Sequence, residues 1–146
     1  MGIATQLLLG ALSCLLFVTF ARRAGRRREL AIYAAALAAA AVIYVIFAAF
    51  GGATLGWTAV ETSGLAIFSL LALLARRGSR EALIVGWAVH PAWDVLIHEV
   101  LRASFVPEWY PALCVGFDLS LAGYIALRVK GDTTARAAKS EDAHRR

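Results

Sequence analysis

The sequence predicts an all-α membrane protein, a bundle of five transmembrane helices with the N-terminus outside and the C-terminus in the cytoplasm. Hydrophobic residues make up 60% of the 146 residues, against about 45–50% in soluble domains. Mean hydropathy is +0.68. Most of the 15 Lys and Arg residues fall in three clusters between long apolar runs. No basic stripe carries the interleaved aromatic side chains expected of a nucleic-acid-binding protein, so no nucleic-acid partner is expected.

Five apolar segments are long enough to cross a hydrocarbon core of about 30 Å, which takes roughly 20 helical residues. They are residues 2–21, 30–50, 55–75, 82–101 and 109–129. Their connections are short, so consecutive helices are expected to be antiparallel neighbours. The sequence therefore predicts a transmembrane bundle over residues 1–129 and a polar, disordered cytoplasmic tail over residues 130–146.

The positive charges orient this array, because cytoplasmic loops collect Lys and Arg. One cluster follows the first segment at residues 22–28, a second separates the third and fourth segments, and the last begins at Arg128. The outer connections hold only Arg102. This alternation is what five spans require, and it predicts a multi-pass protein of the cell membrane.

The first two helices are predicted to be structural. No positively charged stretch precedes the first segment, so it is interpreted as a span and not as a signal peptide. The second contains "YAAALAAAAVIY" at residues 33–44, and such small residues allow neighbouring membrane helices to approach closely. Cys14 and Cys114 lie inside apolar segments and imply neither a disulfide nor a zinc framework.

The third, fourth and fifth helices carry ionisable side chains inside their apolar segments. Such groups cost at least about 2.5–3.5 kcal/mol at mid-membrane, so they are rare and indicate function. At 1.5 Å of rise per residue, they lie at similar depths in or near the outer half of the bilayer. The candidate site residues are Glu61, His90, Asp94, His98 and Asp118.

Residues four apart share a helical face, so His90, Asp94 and His98 are expected to form one stripe facing the bundle interior. Pro91 removes a backbone hydrogen bond, and a kink with a cavity is expected beside it. Aromatic side chains near this stripe are candidates for binding an apolar substrate, with membrane-interface anchoring and helix packing as alternatives. They are Trp57, Trp87, Trp93, Trp109 and Tyr110.

The leading hypothesis is an acid–base enzyme, an isomerase, cyclase or hydrolase that acts on a lipophilic small molecule without a metal or other cofactor. Buried carboxylates and imidazoles can hold and accept protons side by side. Asp94 or Glu61 would donate the proton. His90 or His98 would act as the base. Asp118 would orient these groups or stabilise positive charge.

Three alternatives use the same residues. His90, Asp94 and His98, with Glu61 and Asp118, could ligate zinc or iron. Side chains four residues apart differ in direction by about 40° around a helix, so the first three reach one ion only if a kink at Pro91 brings them together. Buried Asp, Glu and His also relay protons in transporters and channels. A pore formed by a homo-oligomer is a further form of this alternative. Interhelical hydrogen bonds alone would make the protein purely structural.

The segment "GWAVHPAWDVLIHEVL", followed by "VPEWYPALCVGFDLSLAGYIAL", resembles a family of small, uncharacterised bacterial membrane proteins. In that family an HPxWDxxxH helix precedes a WYP loop and a helix with a buried Asp. The resemblance implies a membrane bundle and no particular activity. The general plan is also similar to the sterol isomerase superfamily and to the integral membrane terpene cyclases, by analogy alone.

Overall fold

The computed structural model describes residues 2–144, apart from the side chains of residues 26, 27, 132, 133 and 135–144. Over these residues the regular secondary structure is entirely helical, which confirms the predicted all-α class. The elements are α1 (Ile3–Arg23), α2 (Arg26–Phe50), α3 (Leu55–Arg76), α4 (Arg80–Trp93), a π-helical segment (Asp94–Val100) and α5 (Tyr110–His144).

Four of the helices, α1, α2, α3 and α5, are long and apolar enough to cross a membrane. Much of their outward-facing surface is leucine, isoleucine and phenylalanine, as on α1, where Leu16 and Phe20 are largely exposed. Such a surface suits lipid and not water. These helices correspond to four of the five predicted spans.

The fourth predicted span is divided into α4 and the π segment, but the chain does not turn between them. Trp93 and Asp94 both have right-handed helical backbone angles, with φ near −60°. Only the hydrogen-bond register changes, to the wider register of the π-helix. Pro91 lies in the last turn of α4 and offers no amide hydrogen to the carbonyl of Trp87.

From α2 to α5 each helix packs against the next one in the chain, whereas α1 packs mainly against α5 and only weakly against α2. α3 contacts α2 and α4, while α5 contacts α4 and most extensively α1. The three short turns between the first four helices each use a glycine with positive φ: Gly25, Gly52 and Gly78. Side-chain-free glycine adopts this conformation without the steric cost that other residues meet there.

The last helix runs further than predicted. The span was expected to end at Val129 and to be followed by a disordered tail, whereas α5 continues to His144. The added residues include "TTARAAK". Alanine, arginine and lysine favour helix, and an existing helix needs no new nucleus to be extended.

The loop at 101–109, between the π segment and α5, folds back over the bundle. Ala103, Phe105 and Val106 are buried there and pack against Tyr44 and Ala48 of α2. A Cβ on Gly51 would lie 2.6 Å from Cβ of Phe105, so the glycine makes this close approach feasible. We call this group of packed residues the loop cluster.

Candidate functional site

Helices α3, α4 and α5 and the π segment bring all five candidate ionisable residues into one group, which we call the polar cluster. None of the five is more than 4% exposed. Each lies on the inner face of its helix, whereas Glu99 of the π segment is exposed. The polar cluster consists of Glu61, His90, Asp94, His98 and Asp118.

The π segment explains how three residues of one helix reach the same point. An α-helix turns about 100° per residue, so the step from His90 to Asp94 overshoots a full turn by about 40°. A π-helix turns only about 82° per residue, so the step from Asp94 to His98 falls short by about 33°. The two deviations nearly cancel. His90 and His98 therefore share a direction that a continuous α-helix would not give them.

His98 is held by α3. Its Nε2 lies 2.9 Å from Oε1 of Glu61, so an ionised Glu61 accepts a hydrogen bond from Nε2–H. The indole Nε1–H of Trp93 donates to the other Glu61 oxygen at 3.5 Å. Gly64 makes room for this indole, because a Cβ there would lie 2.8 Å from the ring. Glu61 thus fixes both the orientation and the tautomer of His98.

His90 is held by α5. Its Nδ1 lies 2.9 Å from Oδ2 of Asp118 and 3.4 Å from Oδ2 of Asp94. The other ring nitrogen, Nε2, is buried without a hydrogen-bond partner. His90 therefore joins two carboxylates through one nitrogen and leaves the second unused.

Asp94 is the least satisfied residue of the polar cluster. It is fully buried, and neither carboxylate oxygen makes a hydrogen bond of good geometry, although Oδ2 lies 3.4 Å from Nδ1 of His90. Its Oδ1 lies 3.9 Å from Nδ1 of His98, which is also unpartnered. A buried ionised carboxylate with only two long contacts is costly, so a proton or a cation at Asp94 would stabilise the folded chain.

The charges of the polar cluster point the same way. It contains three carboxyl groups and two imidazoles. Within the part of the chain that the structure describes, the ion pairs of the three carboxylates are with the two histidines. With neutral imidazoles and ionised carboxylates, the group is strongly negative in an apolar environment. Bound protons or a divalent cation would neutralise most of that charge.

Aromatic side chains close the polar cluster on several sides. The Tyr44 ring stacks on His98 with centroids 3.9 Å apart and planes 12° apart. The rings of Phe68 and Trp87 lie 4.6 and 6.5 Å from that of His90. The space lined by Tyr44, Phe68, His90 and Trp93 does not admit a water-sized molecule. A cavity was expected beside Pro91, but aromatic side chains leave no room for a water molecule there.

The predicted substrate-binding aromatics do not form one wall. Trp93 contacts Glu61, and Trp87 is buried in the main core. Trp57 and Tyr110 pack in the loop cluster, Trp57 against Phe105 and Tyr110 against Tyr44. Trp109 is half exposed beside Tyr110. Trp87 adjoins the polar cluster at the His90 ring, and Trp93 adjoins it at Glu61.

Tyr44 was missed by the sequence interpretation, which treated α2 as a packing helix. Its hydroxyl is buried without a hydrogen-bond partner, and its ring covers His98. A signal was available. Tyr44 lies six residues before the end of α2, or about 9 Å along the helix axis, which is close to the depth predicted for Glu61.

Three members of the polar cluster have the geometry of a metal site. One donor atom from each of His90, Asp94 and Asp118 lies within 4.8 Å of the other two. Ligands about 2.0–2.1 Å from a tetrahedral zinc ion are about 3.3–3.4 Å apart, close to the separation of His90 and Asp94. The predicted metal alternative was centred on His90, Asp94 and His98, with Glu61 and Asp118 as further ligands. In the structure the group of three that lies within 4.8 Å contains Asp118. His98 lies next to this group, with its Nδ1 3.9 Å from Oδ1 of Asp94.

These features define a class of protein: an all-helical bundle with membrane-length apolar helices and a sealed polar cluster of carboxylates and imidazoles. A family model described as a family of unknown function, DUF6010, matches residues 1–131, and the chain belongs to that family. This agrees with the resemblance to an uncharacterised family. No curated protein and no solved structure shows significant similarity to the chain.

Proposed function

We propose that this chain is an integral membrane protein with five spans, its N-terminus outside and its C-terminus in the cytoplasm, that binds a divalent transition-metal ion in the polar cluster. Besides the four membrane-length helices, the remaining span, fourth in chain order, is α4 together with the π segment, which continue one another from Arg80 to Val100. The alternation of Arg-rich and Arg-poor connections supports the orientation.

Asp94 carries the metal proposal. A fully buried carboxylate with two unpartnered oxygens lies beside an imidazole and a second carboxylate. Nitrogen and carboxylate donors in this combination suit zinc or iron. A hydrogen-bonding role alone would leave these oxygens satisfied by serine, threonine or amide partners, as buried polar groups usually are.

The pairing of His98 with Glu61 adds support. Histidines that ligate metals through one ring nitrogen commonly donate the N–H of the other nitrogen to a carboxylate. This hydrogen bond fixes the tautomer and makes the ligand more basic. Glu61 is placed to do this at Nε2. Nδ1 then presents its lone pair on the side of Asp94. His98 is thereby available as a further ligand, with Glu61 as its outer partner.

Elemental analysis tests the proposal. The protein is expressed with zinc and iron supplied, purified in detergent, and compared as wild type, Asp94→Ala and Glu99→Ala. We expect about one ion per chain in the wild type and in Glu99→Ala, and none in Asp94→Ala. Glu99 is the matched control because it is an exposed acidic residue in the same π segment.

Thermal unfolding separates metal binding from a structural role. After treatment with a chelator, Asp94→Asn should melt at or above the wild-type temperature, because it removes an unpartnered buried charge. With metal restored, the wild type should melt higher, because the ion binds only the folded state. A wild type that takes up no ion, or an Asp94→Ala that retains one, contradicts the proposal.

Acid–base chemistry on a lipophilic molecule is the second candidate function. Carboxylates and imidazoles alternate from Glu61 to Asp118 with separations of 2.9, 3.9, 3.4 and 2.9 Å. Such a series can pass or share protons. Isomerisation, cyclisation or hydrolysis would then require movement of Phe68 or Trp93 to admit a substrate.

Infrared difference spectroscopy distinguishes the two candidates in metal-free protein. If a proton is shared along the polar cluster, a change of pH alters a protonated-carboxyl band, and Asp118→Asn shifts or removes it. If the same band is absent in metal-loaded wild type and appears only after chelation, protons replace a metal and the first proposal holds.

A further inference from the structure

A second polar site lies at the Arg-rich end of the bundle, where α2 and α4 begin. A small cleft that opens to the surface, with a cavity volume of about 30 Å³, lies there between α2, α4 and α5. Its charged lining consists of Glu29, Arg80 and Arg128. The sequence interpretation assigned Glu29 to a loop, whereas it lies in the first turn of α2 and is buried.

Glu29 is fully engaged by its neighbours. Its Oε1 accepts hydrogen bonds from the hydroxyls of Tyr33 and Tyr124, at 3.0 and 2.9 Å. Its Oε2 accepts one from an Arg128 nitrogen at 3.1 Å. The carboxylate therefore joins α2 to α5, and no further cation is needed to satisfy it.

The hydrogen bond to Glu29 holds Arg128 in place but uses only part of its hydrogen-bonding capacity. Its guanidinium also lies 5.8 Å from the centre of the Tyr124 ring, a cation–π distance. The side chain is still 45% exposed. A guanidinium has five donor hydrogens, so Arg128 can bind an anion in the cavity while bonded to Glu29.

The charge and walls of the cavity define its ligand. The lining contains two arginines, and a guanidinium binds the oxygens of a phosphodiester through charge-assisted hydrogen bonds. The remaining wall includes Leu30, Ile125 and Val129. A soluble anion would leave these apolar side chains uncovered, whereas the glycerol and first methylene groups of a lipid would cover them.

We propose that this cavity binds the phosphate of an anionic phospholipid headgroup, with Arg80 and Arg128 as donors. Basic pockets between membrane helices are suited to such headgroups. The exposed arginines Arg22, Arg76 and Arg77 at the same end add long-range attraction for anionic lipid. This site is separate from the polar cluster, and its occupancy does not depend on a metal.

Lipid-dependent thermal shifts test the proposal on full-length protein in detergent, monitored by tryptophan fluorescence. Phosphatidylglycerol is compared with phosphatidylcholine of the same acyl chains and with inorganic phosphate. We expect saturable stabilisation by phosphatidylglycerol, little by phosphatidylcholine and none by inorganic phosphate. Arg80→Gln should weaken the apparent affinity for phosphatidylglycerol about five- to tenfold.

Arg77→Gln is the matched control, because Arg77 is exposed at the same end but does not line the cavity. It should leave the affinity within about twofold of the wild type. Each variant is compared with its own lipid-free melting temperature, so a change in fold stability does not affect the comparison. Equal effects of both lipids, or equal losses in Arg77→Gln and Arg80→Gln, would overturn the proposal. Stabilisation by inorganic phosphate would reassign the site to a soluble anion and overturn it for lipid.

Discussion

Glu61 and Asp94 are both buried carboxylates, yet their surroundings differ. Glu61 has a partner for each oxygen, in His98 and Trp93. Asp94 has none. Because a satisfied carboxylate orients its neighbour and an unsatisfied one attracts a cation or proton, we expect the two residues to act differently. In the proposed metal site Glu61 would act through His98, and Asp94 would bind the ion directly.

Glu61→Gln tests this distinction. The amide keeps the shape and one acceptor oxygen but loses the charge that makes His98 more basic. We expect metal to remain bound with affinity reduced about 10- to 100-fold, measured by competition with a chelator. Asp94→Ala should lose binding altogether, and Glu99→Gln should match the wild type. If Glu61→Gln and Asp94→Ala lose the ion equally, Glu61 is a direct ligand.

The sequence identifies residues of this kind well and their pairings poorly. Ionisable groups in apolar segments are conspicuous, so all five members of the polar cluster could be selected, and the structure places them in contact. Which nitrogen of His90 meets Asp118 depends on helix rotation within a few tens of degrees, which hydropathy does not contain. Tyr44 escaped notice because a tyrosine in an apolar helix is common.

Among the helices, α1 and α5 make the closest approach. A Cβ on Gly10 would lie 2.0 Å from the carbonyl oxygen of Leu113, and one on Gly116 would lie 2.2 Å from that of Leu7. The two backbones therefore touch, as small residues permit in membrane helix pairs. This contact supports α5, which carries Asp118.

Gly116→Ala should force α1 away from α5, because backbone atoms cannot rotate aside as side chains do. We expect a loss of about 1–3 kcal/mol in stability, measured by thermal or denaturant unfolding in detergent. Gly123→Ala is the matched control, since its Cβ would meet nothing within 4 Å. That variant should be neutral or slightly stabilising because alanine favours helix. Equal effects of the two substitutions would show that α1 and α5 are not in backbone contact.

At this scale, hydropathy predicted the positions of the helices but not their internal geometry. The start of α3 at Leu55 agrees with the predicted segment. The π segment was not foreseen, because residues Asp94–Val100 are as compatible with α-helix in composition as with π-helix. In the wider register His98 contacts Glu61 and Tyr44, which belong to other helices, so tertiary contacts favour a register that local composition does not encode.

At the scale of the whole molecule, the bundle has one end rich in charged side chains and another with few of them. Glu29, Arg80 and Arg128 meet at one end, and the loop cluster, with few charges, lies where α2 ends and α5 begins. An odd number of spans would place the two chain termini on opposite sides of the membrane. The proposed orientation follows from this polarity together with the positive-inside tendency.

Reporter fusions test that orientation. Alkaline phosphatase, which is active only outside the cytoplasm, is fused after residue 24, 52, 78 or 131 in a bacterial host. We expect high activity only after residue 52, because that turn joins α2 to α3 at the Arg-poor end. A fluorescent protein that folds only in the cytoplasm should give the opposite pattern. Phosphatase activity after residue 78 would contradict the orientation, and activity after residue 131 alongside that after residue 52 would show that α4 and the π segment do not span.

The stacking of Tyr44 on His98 beneath the loop cluster also has a kinetic consequence. If the polar cluster binds an ion as proposed, an ion that passes His98 on this side would displace the Tyr44 ring, which packs against Phe47 and Tyr110. Exchange would then be limited by opening of this barrier and not by binding strength. The metal content of a purified sample would preserve a record of what was available while the chain was folding, long after the surrounding buffer had changed.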